Sequence, residues 1–295
     1  VEIRQLEYFL AIVDHGGFNR AAAALYLAQP SLSQAIQGLE RDLGGRLFHR
    51  IGRRAVLTEA GQALIEPARA VVRDMELARS SVGAVRELRS GRLDISAMPS
   101  QAVEPLSTMM ERFAVRHPGV TVSVKAAFTP REVVEQVRSG ASELGLVASM
   151  RPLPEKEVRV QPVGEQRFVL VTPPDGPFPA GRPVPCERLA GHRVIAGQRG
   201  TGMRQYVDEL RASGIGLIIA AETEHRVGIL PLVLKGVGLA VLTESWKDLA
   251  ERVGALVLEL SPATSLSIAL VSRRAELTPA AAAFLALASE DRQRL

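Results

Sequence analysis

Cysteine is all but absent from this chain: of 295 residues only Cys186 carries a thiol. That excludes an intramolecular disulfide, and the expected state of Cys186 is a bland, partly buried thiol. Long apolar runs are missing too. The longest, 214–221 and 237–242, are far too short to cross a bilayer, so no membrane partner is expected. No amino-terminal stretch has the charged, apolar and small-residue order of a secretion signal, so the expected location is the cytoplasm. The histidines at 15, 49, 117, 192 and 225 show no metal-ligand spacing. A Gly-x-Ser-x-Gly elbow is lacking. The stretch "GQRGTG" (197–202) lacks the Gly-Lys-Ser/Thr ending of a phosphate loop, although an anion-binding turn stays open there. No catalytic residue, metal or cofactor is therefore expected, and the chain does not read as an enzyme.

Lysine is scarce as well, standing only at 125, 156, 235 and 247, so the basic side is almost all arginine. A compositional bias of the genome is the plainer explanation, although arginine forks suit phosphate and carboxylate. The placement says more than the total. Residues 41–54 hold five arginines against one acid, Asp42, and that local +4 equals the formal charge of the whole chain. The length suits two or three domains, and 46% apolar residues argue against disorder.

Residues 1–90 read as mostly helical. Ile3, Leu6, Phe9, Leu10 and Val13 recur at helical spacing, and Gly16-Gly17 stops that helix. "NRAAAALYLA" follows, with Asn19 as the expected N-cap and small residues that let another helix approach. After a break near 27–29 comes "AQPSLSQAIQGLE" (28–40). Pro30 suits a first helical turn, with Gln29 on its cap side. Leu32, Ala35, Ile36, Leu39 and Leu43 form one apolar stripe, leaving Ser31, Ser33, Gln34 and Gln37 off it and expected to point outward. A short helix, a tight turn and a second amphipathic helix make a helix-turn-helix, whose second helix enters the major groove of DNA. Glutamine pairs with adenine through two bonds, and serine bonds to base or phosphate. A polar face alone reads as well as a solvated helix side. The next segment tips the balance: "RLFHRIGRRAVLT" (46–58) alternates about a basic turn, like a small hairpin. A wing of this kind puts Arg50, Arg53 and Arg54 on the phosphate backbone.

Thr58 is a plausible cap for the next helix. Leu64, Ala68, Val71, Met75, Ala78, Val82 and Val85 then step by four and three, a heptad seam interrupted by Pro67. Packing on its own domain is one reading; a dimer-forming linker is preferred, because no other apolar element lies nearby in sequence. A dimer would set two reading helices against a two-fold related site in double-stranded DNA.

Residues 18–61, "FNRAAAALYLAQPSLSQAIQGLERDLGGRLFHRIGRRAVLTEAG", resemble the winged helix-turn-helix of the bacterial LysR-type transcriptional regulators at nearly every position. The resemblance spans 3–65 closely and the rest more weakly. Gln34 departs from many relatives, which carry arginine there. The resemblance implies DNA contacts from Gln29, Pro30, Ser31, Ser33, Gln34, Gln37, Arg50, Arg53 and Arg54. It also implies a homodimer assembled into a homotetramer, with RNA polymerase as a further candidate partner. Some members sense peroxide with two cysteines, a switch that one Cys186 cannot make within a subunit.

Beyond Ser90-Gly91, strand-like and helix-like segments alternate: strands at 91–100, 120–127, 143–149, 192–197, 216–223, 238–243 and 265–272, with helices between them and a last one over 278–289. The pattern argues for parallel sheet covered by helices in two α/β lobes, with crossings near 162–166 and 262–266. The fold class expected is thus α/β: a winged helix-turn-helix (1–58), a long linker helix (59–90), and a two-lobed domain (91–295) resembling periplasmic binding proteins. Lobe I takes 91–163 and 266–295, and lobe II takes 164–265. Ligands in such folds sit at the carboxyl ends of strands and amino ends of helices. That places Ser100, Gln101, Thr129, Gln198, Gly200 and Thr201 around a cleft, where the resemblance puts a small-molecule effector. Helix amino ends favour an organic anion as that effector. Capping alone would explain Ser100, Thr129 or Thr201 singly; their convergence favours a ligand site. A transport solute-binding protein also fits the cleft, but not the first 90 residues.

Overall fold

A computed structural model describes residues 1–51, 54–83, 91–153 and 156–292. Arg53 and Val85 lie outside the described residues, and Arg50, Arg54 and Val82 are described only in their backbone. The chain divides into two compact units, the first comprising residues 1–87 with the short segment 139–141, the second residues 88–138 and 142–295.

The first unit is built from α1 (Ile3–His15), α2 (Phe18–Ala24), α3 (Gln29–Leu43), β1 (Phe48–Ile51), β2 (Arg54–Leu57) and α4 (Glu59–Gly83). Gly16 and Gly44 close α1 and α3 at φ 64° and 71°, the left-handed corner that costs glycine little. The apolar stripes meet as their spacing requires: Leu6, Phe9 and Ile12 of α1 and Leu32, Ile36 and Leu39 of α3 are buried in one core. Phe48 fixes the hairpin to that core, its ring 5.5 Å from Phe9 and 5.4 Å from Phe18. Ala21 and Ala22 are buried, the close approach that small residues permit. The N-cap of α2 is Gly17 rather than Asn19. Phe18 begins the helix, with its ring against Phe48, so Asn19 falls inside the first turn.

β1 and β2 pair antiparallel, Phe48 opposite Leu57 through to Ile51 opposite Arg54. Thr58 caps α4: its hydroxyl accepts from Gly61 N–H at 2.9 Å and donates to the Arg46 carbonyl at 2.6 Å. A Cβ on Gly61 would lie 2.2 Å from the Leu47 carbonyl oxygen, so only glycine lets helix and hairpin come this close. The helix runs on through Pro67. Its heptad seam divides. Ala68 is buried in the amino-terminal core, with Leu64, Ile65 and Val72 packed against it. Val71 is 44% exposed, and Ala78 is exposed too. The start of the seam thus serves its own domain, and the dimer-forming reading keeps only the later positions.

The second unit comprises β3 (Gly91–Ala97), α5 (Pro99–Val103), α6 (Leu106–Arg116), β4 (Val120–Ala126), α7 (Pro130–Arg138), β5 (Leu144–Ser149), β6 (Arg159–Thr172), β7 (Val184–Pro185), β8 (Arg193–Gly197), α8 (Gly202–Ala212), β9 (Ile218–Thr223), α9 (Ile229–Leu234), β10 (Leu239–Thr243), α10 (Lys247–Arg252), β11 (Leu256–Ser261), β12 (Ser265–Ser272) and α11 (Pro279–Arg292). The strands run β4-β3-β5-β12-β6-β10-β8-β9, with β11 also on β6 and β7 on β11. β4, β3 and β5 are parallel, as are β9, β8 and β10. The expectation of parallel sheet fails between these triplets, where β12 runs antiparallel to both β5 and β6, and β6 antiparallel to β10. β6 is one 14-residue strand. It pairs with β12 over residues 159–167 and with β10 over 168–171, so the chain passes between the two sheet regions without a turn. β3 and β5 bury Leu93, Ile95, Leu144 and Leu146, as expected of strands covered on both faces. Phe113 of α6 meets Phe284 of α11 at 5.2 Å, bringing the last helix back beside the first lobe.

Candidate nucleic-acid interface and effector cleft

The polar face of α3 divides. Pro30, Ser31, Gln34 and Gln37 are exposed, clear of the stripe that enters the core. Ser33 does not point outward as expected. It is buried, because a residue one position from Leu32 shares the inner half of the helix, and its hydroxyl accepts from Gln29 Nε2 at 2.8 Å. Ser33 therefore holds the half-buried Gln29 amide in place one turn away. At the other end of the helix, Glu40 Oε1 accepts from Leu47 N–H at 2.8 Å and from Phe48 N–H at 3.3 Å. One carboxylate thus ties α3 to β1, setting the helix and wing in a fixed relation. Of the wing arginines, Arg53 lies outside the described residues, and Arg50 and Arg54 are described only as backbone of β1 and β2.

Two residues of this face escaped the sequence reading. Glu40 looks like any charged residue at a helix end; only its distance from Leu47 shows the tie. Tyr26, in the turn before α3, is 96% exposed at φ 54°. A left-handed, fully exposed tyrosine is uncommon, and such backbone strain gathers at working surfaces.

In the second unit, the polar groups beyond the strand ends fall into two neighbourhoods. Thr129 and Gly200 line an open cleft of about 920 Å3, together with Arg131, Ser149 and Arg151. Thr129 also caps α7, its hydroxyl accepting from Glu132 N–H at 3.2 Å. Ser100 and Gln101 lie deeper, at 4% and 1% exposure, beside a small cavity of about 10 Å3. The Gln101 amide donates to Gln166 Oε1 at 3.2 Å, and Gln166 donates to the Glu104 carbonyl at 2.9 Å, so this amide chain is occupied. Thr201 and Gln198 build the turn into α8. The Thr201 hydroxyl donates to the Gln198 carbonyl at 2.7 Å and accepts from Arg204 N–H at 3.4 Å, while Gln198 Oε1 is buried without a hydrogen-bond partner. The six residues are thus not one ring: Thr129 and Gly200 face the open cleft, Ser100 and Gln101 the deep cavity, and Gln198 and Thr201 the turn.

The sequence reading missed the strongest charge in this region. Arg226, in the single helical turn between β9 and α9, is only 8% exposed. Its Nη1 donates to Ser100 Oγ at 3.1 Å and to Met203 Sδ at 3.2 Å. Trp246 Nε1 donates to the same Ser100 oxygen at 3.2 Å. Burial pushes the Arg226 guanidinium down to about 10, which still leaves it a cation near neutrality. The one signal in the sequence was position: like Ser100 and Thr201, Arg226 and Trp246 stand just past the carboxyl end of a strand.

Arg204 shows how a structural buried arginine differs. It bonds Asp208 at 3.0 Å and Glu222 at 2.9 Å, pinning α8 to β9 with two carboxylates. Cys186 is buried, 3.5 Å from the Tyr206 hydroxyl, which burial pushes up to about 12. Among the described residues, no group of three or more His, Cys, Asp or Glu is placed to hold a metal, and no helix is long and apolar enough to cross a membrane.

Comparison with known proteins covers both units. Residues 3–62 match the family model described as the bacterial regulatory helix-turn-helix protein, lysR family, and residues 86–293 match the LysR substrate binding domain. The chain is 32% identical over 304 residues to the SDS degradation transcriptional activation protein of a Pseudomonas strain, covering 99% of this chain and 97% of that protein. It is 28% identical to the RuBisCO operon transcriptional regulator of Allochromatium vinosum, covering 96% and 94%. Among solved structures it is similar in fold to a full-length OxyR variant from Pseudomonas aeruginosa (TM-score 0.74, 21% identity, 99% of this chain and 95% of that one). It is also similar to full-length CbnR complexed with its target DNA (TM-score 0.70, 23% identity, 99% and 100%).

Proposed function

The chain belongs to the LysR family of bacterial regulatory helix-turn-helix proteins, a DNA-binding regulator with an effector-binding domain and not an enzyme, and from that premise we propose how it reads DNA and what its cleft does. The exposed row Ser31, Gln34 and Gln37, with Gln29 held by Ser33, reads base edges in the major groove. Pro30 and Tyr26 border that row, and Arg50, Arg53 and Arg54 of the wing grip phosphate. The observation that carries this reading is the Glu40 tie, which fixes helix and wing as one tool. The DNA-bound state of CbnR, a protein of similar fold, supports it.

The working form is a homodimer, paired into a homotetramer, on a two-fold related operator in the cytoplasm. The exposed Val71 and Ala78 of α4 support a contact between copies there. A small organic anion entering between the lobes shifts the geometry of that assembly, and with it the spacing of the reading helices and the contact with RNA polymerase. Base and phosphate roles separate in one experiment. Gln29→Ala is expected to lower discrimination between operator and random DNA. Arg53→Ala is expected to weaken both and to reduce the salt slope by about one. Equal losses on every sequence for Gln29→Ala would remove it from the reading set.

A further inference from the structure

We propose that Tyr26 is a further DNA contact, its hydroxyl donating to a phosphate oxygen at the edge of the groove that α3 enters, and that the fold gives up stability to hold it there. This rests on the reading of the α3 face as the DNA interface, and it adds a contact that carries no sequence information.

The turn after α2 closes with two backbone bonds. Tyr26 N–H donates to the Ala23 carbonyl at 3.2 Å, and Leu27 N–H to the Ala22 carbonyl at 2.9 Å. That pair of bonds puts Tyr26 at the position that takes a left-handed backbone, where glycine is the usual occupant. Glycine does close α1 and α3, at Gly16 and Gly44. A tyrosine at φ 54° strains its Cβ against the backbone, and it is the only non-glycine residue with positive φ among the described residues. The side chain returns nothing to the fold for that strain. It is 96% exposed, takes no part in the core of its unit, and among the described residues makes no hydrogen bond or ring contact.

Place and charge say what the ring meets. Tyr26 stands three residues before Gln29, so their Cα atoms lie within about 11 Å of each other. The major groove is about 12 Å wide. A side chain at that distance from one at the base edges stands at the sugar-phosphate wall. Residues 15–39, from the end of α1 through most of α3, contain no Asp or Glu, although the chain has 32. The exposed neighbours of Tyr26 in sequence are Ala23, Ala24, Ala28 and Pro30, all small and uncharged. Nothing on this stretch repels a polyanion, and nothing on it shields the ring from one. A second copy of the chain would find only one ring among small side chains to bury. Tyrosine carries both groups that the wall accepts: an apolar ring for the deoxyribose and a hydroxyl that donates to phosphate.

Tyr26→Phe and Tyr26→Gly test this in the full-length protein, with two labelled duplexes: the intergenic DNA beside its own gene and a random sequence. Tyr26→Phe should weaken binding to both roughly fivefold, the loss of one bond to a charged oxygen. Tyr26→Gly removes the ring as well and should weaken both by roughly tenfold or more. The salt slope should stay that of the native protein, because a neutral phenol releases no counter-ion. Thermal unfolding reads the other half: Tyr26→Gly should melt no lower than the native protein, since glycine relieves the left-handed strain, and Tyr26→Phe should melt with it. Unchanged affinity in both variants would overturn the proposal. So would a loss confined to the intergenic duplex, which would make Tyr26 a base reader, or a lower melting temperature for Tyr26→Gly, which would make the ring part of the fold. A smaller mass for Tyr26→Gly in light scattering would place the ring against a second copy and overturn it too. Gln29→Ala on the same duplexes separates the two readings. Equal Tyr26 losses on both duplexes, beside unchanged discrimination in Gln29→Ala, sink base reading by Gln29 and leave the Tyr26 contact standing. Lost discrimination in Gln29→Ala with both Tyr26 variants unaffected sinks only the Tyr26 contact.

Discussion

Replacing Ser33 by alanine tests whether this buried serine acts on DNA through Gln29. The Ser33 hydroxyl accepts from Gln29 Nε2 at 2.8 Å, one helical turn back, and Ser33 itself is 9% exposed. A bidentate glutamine–adenine pair is worth about 1–3 kcal/mol of discrimination. The bond that orients the amide is worth about 1 kcal/mol net. Ser33→Ala should therefore cost roughly fivefold in preference for operator over random DNA, and Gln29→Ala more, between roughly fivefold and a hundredfold. If Ser33 works only by holding Gln29, the double variant should lose no more than Gln29→Ala alone. The assay is fluorescence anisotropy with labelled operator and random duplexes at one salt concentration, for the native protein, both single variants and the double variant. Additive losses would show that Ser33 makes its own base contact. Equal losses on operator and random DNA for Ser33→Ala would assign it to phosphate. Either result refutes the coupling.

Three further outcomes follow from particular contacts. Gly61→Ala drives a Cβ to 2.2 Å from the Leu47 carbonyl and 2.9 Å from Leu57 Cδ2. It should destabilise the amino-terminal unit by about 2 kcal/mol in urea unfolding, and an unchanged midpoint would mean the helix start shifts freely. Val71→Asp puts a charge on the exposed face of α4, and light scattering behind a sizing column should show smaller assemblies; an unchanged mass would place the contact elsewhere. Burial lowers Arg226 only to about 10, so it stays a cation throughout the range pH 6–9, and affinity for an organic anion in the cleft should be flat there. Above about pH 10 the folded protein loses that proton before the unfolded chain does, so affinity falls while the burial penalty is relieved. A step in affinity within that range would contradict a role for Arg226 in holding the anion.

The sequence was informative wherever local chemistry decides the outcome. Pro30 in the first turn, Gly44 at the helix end and the apolar stripe of Leu32, Ile36 and Leu39 identify α3 without any tertiary information. The parallel triplets were legible from alternation of strand and helix signals. What was hidden depends on partners distant in sequence. Ser33 lies beside Leu32; helical spacing put it off the apolar stripe and facing outward, but the fold buries it. Asn19 is the better capping residue, but Phe18 and its ring contact with Phe48 decide where α2 begins. β6 carries Pro162 and Gly164 and looks interrupted; the pairing with β12 keeps it one strand, with a register shift on the partner at Ile268/Ala269. Arg226 was invisible for the same reason: an arginine after a strand reads as surface until Ser100, 126 residues away, closes over it.

The most direct test of the central claim is an electrophoretic shift on the intergenic DNA beside the protein's own gene, with excess random DNA and varied salt. The expected result is a complex that resists random competitor, weakens steeply with salt and protects a long, two-fold related footprint. Binding that random DNA abolishes at every salt concentration, with or without small organic anions present, would contradict base reading by the Gln29–Gln37 face.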